Sequence, residues 1–388
     1  MNLLLTFTDN VSLQIWFESG IINREISVYK KLLEKNVNIS FLTYGSRKDL
    51  EYSNILGDIK VLPCSNLIKS RILKIQFFKK LLLPIKLKKM FRNIDIIKTN
   101  QLNGSWVACI AKLFYRKKLV IRGGYEWLKR HINEISYKKK GFILYIKYLS
   151  KLSWIFIFEL IAYKLADGII LPNKKDVSYI VKTFKLKRKA KRNRILNLYN
   201  FVDVDMFKPM DAPKRDKRIL FIGRFIEQKN LFNLLKAIRD LKQFGLTIIG
   251  EGPIQNKLNE KVEEYGIDVD FLGTVPHHEI PKIMAQHDIF IIPSYAEGNP
   301  KVLLEAMSAG LACIGTNTHG INDIITHKEN GYLCGTTVKS IKEAILSVYN
   351  NNDLKKKISR NARAFATKNF SINNITKREY SFYKEILR

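Results

Sequence analysis

The chain has 388 residues, of which 46% are hydrophobic, and a formal net charge of +32. That length suits two domains of about 190 residues, each able to bury a core, and it excludes a small disulfide scaffold. Residues 1–195 hold 40 Lys/Arg against 13 Asp/Glu, a net +27, whereas residues 196–388 hold 27 against 22, a net +5. This asymmetry points to a polyanionic partner of the first half, either nucleic acid or an anionic membrane surface, with a codon bias toward Lys, Ile and Asn as the plain alternative.

Residues 1–10 have no basic leader and only a short apolar run before Asp9, so they read as a first strand rather than a signal peptide. Short apolar runs then alternate with longer amphipathic ones, the pattern of a parallel sheet with crossover helices. Predicted strands in the first half are 3–7, 37–43, 60–63, 95–99, 118–122, 168–171 and 194–198, with helices such as 23–35 and 105–114 between them. The longest apolar run, 154–162, is far short of the roughly 20 residues of a membrane span and contains Glu159. Asn200, Asp203, Asp205, Pro209 and Pro213 bring turn chemistry and mark a domain boundary. Predicted strands then follow at 218–222, 246–249, 269–272, 289–292 and 312–315, with a short one near Tyr332 and a closing helix over 371–387. The predicted fold class is α/β: two Rossmann-like doubly wound domains facing a cleft, over 1–198 and 199–370, with the helix 371–388 crossing back to the first.

The most informative stretch is 293–310, Pro-Ser-Tyr-Ala-Glu-Gly-Asn-Pro-Lys-Val-Leu-Leu-Glu-Ala-Met-Ser-Ala-Gly. It reads as a strand end, a tight loop and a short helix, with Asn299 as N-cap, Pro300 in the first helical position and Gly310 as the stop. Glu297 then lies in the loop and Glu305 on the helix, with free N–H groups of a helix N-terminus between them, a setting for an anionic group. Glu305 stands amid Val302, Leu303, Leu304, Ala306 and Met307, where an unpaired charge would be costly. Two carboxylates that accept from hydroxyls beside a phosphate cradle describe a sugar-nucleotide site.

Earlier, a strand ends at Gly223, and Arg224 and Lys229 follow it. Such cations can clamp a diphosphate, although surface cations are common on so basic a chain. Gly250 and Gly252 mark another tight strand-to-helix turn. The pairs Asp203/Asp205 and Asp268/Asp270 have the D-x-D form of some metal sites. The first lies in the interdomain segment and the second flanks a strand whose alternate side chains are expected on opposite faces, so neither is read as a metal site. Cys64, Cys109, Cys313 and Cys334 are scattered, without zinc or disulfide spacing, which makes reducing cytosol the default. In the first half, Gly20, Asn100, Arg122, Gly123 and Tyr125 follow predicted strands and are candidates for binding an acceptor; routine turns would look the same. The segments 69–92, 138–151 and 185–194 mix cations with apolar residues or are simply basic. The first two suit an anionic bilayer interface, although Pro84 breaks the first and its cations do not gather on one side.

Taken together, these residues resemble the retaining glycosyltransferases of the two-Rossmann GT-B fold, specifically the large family 4 (group 1). Asn200-Phe-Val-Asp203 with Phe207 and Pro209 is similar to the family's interdomain motif, Gly223-Arg224 with Lys229 to its diphosphate clamp, and Glu297-Gly-Asn-Pro through Glu305 and Gly310 to its E-x7-E donor loop. The resemblance implies that Arg224 and Lys229 neutralise the departing diphosphate. It implies that Glu297, Gly298, Asn299, Pro300 and Lys301 hold the donor sugar, and that Glu305 grips the ribose hydroxyls. It further implies retention, no metal and no cofactor beyond the nucleotide-diphosphate sugar as co-substrate. Phe201 replaces the family's usual Gly, Ile372 a common aromatic, and Arg122-Gly-Gly-Tyr125 stands where many members have a His. The likeness is nearest to bacterial enzymes of surface-polysaccharide synthesis, lipopolysaccharide or capsule, which implies a glycan or polyprenyl-linked acceptor and a cytoplasmic location, peripheral on the plasma membrane. Two other readings stand beside it: a sugar-nucleotide epimerase on the same fold, and a nucleic-acid-binding protein, for which no recognised module is found.

Overall fold

The computed structural model describes residues 1–70, 72–124 and 142–388. The chain divides into two compact units, Met1–Leu198 with Thr376–Arg388, and Tyr199–Ile375. Of the sequence expectations, Tyr125 and residues 138–141 of the basic segment 138–151 lie outside the described residues.

The first unit is built on a 7-stranded sheet in the order β3-β2-β1-β4-β5-β6-β7. Its strands are β1 (Asn2–Thr6), β2 (Asn38–Thr43), β3 (Lys60–Pro63), β4 (Ile96–Thr99), β5 (Lys118–Arg122), β6 (Gly168–Leu171) and β7 (Ile195–Asn197). Every paired neighbour is parallel. Leu3, Leu4, Leu5, Ile96, Ile97, Val120 and Ile169 are buried, because helices cover both faces of such a sheet and leave no strand face for water. The helix Ile372–Leu387 supplies Tyr383 and Ile386, both fully buried, to this unit. Gly168 lets it approach: a Cβ there would stand 2.7 Å from Ile386 and 2.9 Å from Phe382. Within the same contact, Lys98 Nζ donates to Glu379 Oε1 at 2.5 Å with neither side chain exposed, and Tyr29 and Tyr383 complete the cluster. Burial pushes the Glu379 carboxyl up, but the charges of Lys98 and Arg122 and the donated hydrogen bonds outweigh it, and the group sits below its ordinary value.

The segment 69–92 breaks into the short helices Leu73–Leu81, Leu83–Lys86 and Lys88–Arg92, with Pro84 in the first turn of the second, where its missing N–H costs nothing. Its cations are not all solvated: Lys80 is buried and donates to Asp9 Oδ1 at 2.5 Å.

The second unit has a 6-stranded parallel sheet in the order β10-β9-β8-β11-β12-β13. The strands are β8 (Arg218–Ile222), β9 (Gly245–Ile249), β10 (Val269–Phe271), β11 (Ile289–Ile292), β12 (Ala312–Thr316) and β13 (Tyr332–Cys334). All four residues of β11 are buried. Each sheet thus reverses its direction of growth once, between β1 and β4 in the first unit and between β8 and β11 in the second. Loops leaving the carboxyl ends of the two central strands part at such a switch point, and doubly wound sheets bind ligands there.

Candidate functional site

In the second unit, the loops that leave β8 and β11 hold the predicted donor residues. After β8 the chain turns through Gly223 and Arg224 into the 3-10 turn Glu227–Lys229. After β11 it runs through Pro293 to Pro300 and enters the helix Lys301–Ser308. Main-chain and side-chain bonds join the two loops: Tyr295 N donates to Gln228 O at 2.9 Å, Gln228 Nε2 to Ala296 O at 2.5 Å and Asn230 Nδ2 to Pro293 O at 3.0 Å. Asn230 takes φ +57, a left-handed conformation that Asn adopts more readily than other side chains.

Lys229 and Glu297 meet directly at this seam. Lys229 Nζ lies 2.6 Å from Glu297 Oε1, and Ser294 Oγ donates to the same oxygen at 2.6 Å. Glu297 is 7% exposed, so the carboxylate is largely withdrawn from water and held by two donors. The loop after β12 closes the arrangement. Glu297 N donates to His319 O at 2.9 Å, and a Cβ on Gly320 (φ +83) would overlap the Glu297 carbonyl. Arg224, by contrast, has an exposed side chain. Gly250 and Gly252 pack against the β8 loop: a Cβ on Gly250 would overlap the carbonyl of Gly223, and one on Gly252 the backbone of Phe225.

The helix begins one residue later than expected. Pro300 is its N-cap, with φ −72 and ψ 106, and makes no side-chain capping bond. Asn299 is not the N-cap because its polar groups are engaged elsewhere: Oδ1 accepts from Asn200 N at 3.2 Å and its carbonyl from Asn200 Nδ2 at 2.8 Å. Lys301 opens the helix, its ammonium 5.5 Å from the centroid of the Phe201 ring, so the residue in the motif's usual Gly position acts as a platform for this cation. Gly298 lies half-buried between Glu297 and Asn299. Gly310 ends the turn with φ +79.

Glu305 projects from the helix with its side chain 5% exposed, and His277 Nε2 lies 2.9 Å from its Oε1. A carboxylate can only accept, so this imidazole nitrogen carries the hydrogen. Phe207 backs the histidine at 5.2 Å between ring centroids. Sequence reasoning missed His277: it stands 28 positions from Glu305, and no local pattern links the two.

Asp268 and Asp270 require a correction. Residues two apart on a strand share a face, and both carboxylates close on Arg218, with Arg215 also on Asp270. Asp203 Oδ1 instead caps its own turn, accepting from Asp205 N and Met206 N. Among the described residues no three His, Cys, Asp or Glu side chains gather as a metal site would require.

In the first unit, Asn100 and Gly123 do follow strands, β4 and β5, and Arg122 ends β5. Asn100 Nδ2 donates to Thr8 Oγ1 at 3.2 Å across the switch point, Arg122 N to Thr99 Oγ1 at 3.1 Å and Gly123 N to Ile170 O at 2.9 Å. Gly20 does not sit at a strand end: the helix Leu13–Glu18 intervenes, and Gly20 (φ +66) follows its last turn, with N donating to Phe17 O at 2.8 Å. An exposed left-handed glycine after a helix is the ordinary way to stop one.

Residues 204–365 match the family model of glycosyl transferases, group 1. Over these residues the second unit resembles the group 1 glycosyl transferases. The chain is similar to an uncharacterized glycosyltransferase of Methanocaldococcus jannaschii, 28% identical over 46% of this chain and 50% of that protein. It is also similar to the Campylobacter jejuni GalNAc-alpha-(1->4)-GalNAc-alpha-(1->3)-diNAcBac-PP-undecaprenol alpha-1,4-N-acetyl-D-galactosaminyltransferase, 27% identical over 69% of each chain. The chain spans about half the length of the first of these relatives. Among solved structures, Anabaena HepE in complex with UDP and glucose superposes with a TM-score of 0.74 over 98% of both chains at 15% identity. That likeness is one of fold, and the fold is the GT-B type, with two Rossmann-like units. Beside the predicted Glu297, Glu305 and Lys229, the partners Ser294 and His277 are the residues that the geometry adds.

Proposed function

We propose that this protein is a retaining glycosyltransferase that moves a sugar from a nucleotide-diphosphate sugar to a hydroxyl of a lipid-linked glycan during cell-surface polysaccharide synthesis. The observation that carries the reading is the pairing of Lys229 and Glu297 at the switch point of the second sheet, beside the N-terminus of the helix Lys301–Ser308. Departure of a nucleoside diphosphate leaves negative charge on its phosphate oxygens and positive charge on the anomeric carbon. Lys229, Arg224 and the helix-end N–H groups meet the first, and the Glu297 carboxylate faces the second; such preorganised charges need not reorganise as the bond breaks. In this reading Glu297 holds the donor sugar through its second oxygen, Gly298, Asn299, Pro300 and Lys301 line the sugar and phosphates, and Glu305, steadied by His277, takes the ribose hydroxyls. The reading needs no divalent metal, because cations of the chain occupy the diphosphate side.

The acceptor side rests on Asn100, Arg122, Gly123 and Tyr125, and the basic first half supports a peripheral place on an anionic membrane, where a polyprenyl-linked glycan would be presented. The Campylobacter relative, whose name carries a PP-undecaprenol-linked glycan, supports the same class. Among the described residues no helix is long and apolar enough to cross a membrane. The test is thermal stabilisation by a panel of nucleotides and sugar nucleotides, followed by transfer assays with lipid-linked acceptors and chelator. A raised melting midpoint with one donor, and acceptor-dependent, chelator-insensitive transfer that retains anomeric configuration, is the expected result. No stabilisation by any nucleotide, or donor turnover without acceptor, would overturn it.

A further inference from the structure

We infer that a face of the first unit, formed by the helices Leu73–Leu81, Leu83–Lys86 and Phe142–Leu165, is a docking surface for an anionic bilayer. The inference deepens the membrane reading above and rests on it. Two exposed stripes define the face. On the first pair of helices, Ile75, Phe78, Leu82 and Ile85 are 43–65% exposed, at spacings of three, four and three residues. On the long helix, Trp154, Ile157 and Ile161 are 47–64% exposed at spacings of three and four, and exposed Lys164 continues the row. These spacings put the long-helix set along one side of its helix, and the other set follows the two short helices through Leu82, which caps both. A soluble surface rarely leaves so many large apolar side chains in line.

Aromatic packing joins the stripes. The Phe77 ring, next to Phe78, lies 5.5 Å from Trp106, Trp106 lies 5.9 Å from Phe158, and Phe158 lies 5.8 Å from Trp154. Trp106 is on the helix Ser105–Tyr115 between them. Phe78 and Trp154, the most exposed rings, thus stand at the two ends of one packed row.

Charge selects the occupant. The segment 69–92 has nine cations and no anion, and Lys74, Lys86, Lys88 and Lys89 are exposed beside the first stripe. On the long helix the acidic Glu159 is fully buried, so it presents no negative charge at the surface. Past Lys164, a hollow of about 960 Å³ is walled by Lys182, Lys185, Lys187, Arg188 and Lys189. A second copy of so basic a face would be repelled, whereas lipid phosphates around inserted apolar side chains satisfy both features.

The experiment uses the full chain, sedimented with vesicles of phosphatidylcholine with and without phosphatidylglycerol. A Trp127→Phe chain serves as parent for fluorescence, so that exposed Trp154 reports beside only the buried Trp16 and Trp106. Binding that requires phosphatidylglycerol is expected, with emission quenched by lipids brominated in the acyl chain. Trp154→Phe in that parent should keep binding and lose most of the quenching. Phe78→Ser with Trp154→Ser should weaken partitioning at least about ten-fold, the scale of losing buried aromatic anchors, at an unchanged melting midpoint. If the wild type binds no vesicle, the membrane reading fails together with this inference. Anionic binding that the double variant retains, or equal binding to neutral vesicles, overturns the inference alone. A wild-type dimer that the double variant dissolves would also overturn it, making the face a self-interface.

Discussion

Lys229 and Glu297 form an ion pair at 2.6 Å across the seam between two loops that are 68 positions apart. In the proposed mechanism the pair places a cation beside the departing diphosphate and gives a largely buried carboxylate a direct donor. Lys229→Ala or Arg224→Ala should lower turnover about 10²–10³-fold, the scale for losing one preorganised electrostatic donor, with the fold intact by circular dichroism. Turnover within a few-fold of wild type would remove these cations from the mechanism.

His277 holds Glu305 from a different loop. His277→Ala leaves a nearly buried carboxylate without this donor, a loss of about 1.5–3 kcal/mol for a hydrogen bond to a charged group. In the proposed role this appears as nucleotide affinity weakened roughly ten- to a hundred-fold, measured by calorimetry with the free nucleotide. His277→Gln, which retains an N–H donor, should recover part of it.

Gly252 has no room for a side chain against the backbone of Phe225. Gly252→Ala should destabilise the second unit by about 1–3 kcal/mol, as overpacking does, and should disturb Arg224 on the adjoining turn. Denaturant unfolding measures the first effect, and donor affinity the second.

His287 provides a pH dependence. Its ring lies 2.8 Å from Ile283 O through Nδ1 and 2.9 Å from Thr247 Oγ1 through Nε2. Burial, then the nearby charges of Arg215, Arg218 and Lys214, hold its pKa below the ordinary histidine value, against the opposing hydrogen bond to Ile283. The unfolded chain therefore takes up this proton first as pH falls. The stability it contributes is complete above the ordinary histidine range and is lost progressively as pH falls from there toward the lowered folded value. Melting midpoints between about pH 7 and pH 5 should decline less steeply in His287→Gln than in wild type.

The buried pair of Lys98 and Glu379 makes the strongest stability prediction. Glu379→Ala strands a buried ammonium and should cost about 3–5 kcal/mol, whereas Lys98→Met with Glu379→Leu together should be close to neutral. Chemical denaturation of the single and double variants distinguishes the two.

Much of this architecture was legible in the residues. The strands 60–63, 118–122, 168–171, 218–222 and 289–292 stand where their apolar runs predict, because a strand buried on both faces needs an unbroken run and turn residues punctuate it. The helix Leu13–Glu18 was not foreseen; it displaces Gly20 from the strand end. Six residues are too few for a clear helical period, and Ser12 caps them through a side chain. At the candidate site, motif spacing groups Glu297, Glu305, Arg224 and Lys229, but the direct bond between Lys229 and Glu297 and the support from His277 depend on loops brought together by the sheet. Asn299 misleads for the same reason: a good N-cap residue is diverted by Asn200, a partner 99 positions away.

The placement of Thr376–Arg388 in the first unit has a consequence for biosynthesis. Emerging from a ribosome, residues 1–198 lack the carboxylate that neutralises Lys98 and the Tyr383 ring that fills their core. The intervening unit, Tyr199–Ile375, can mature first, whereas the earlier-made portion must wait, with an ammonium not yet matched, until residues 376–388 have been made.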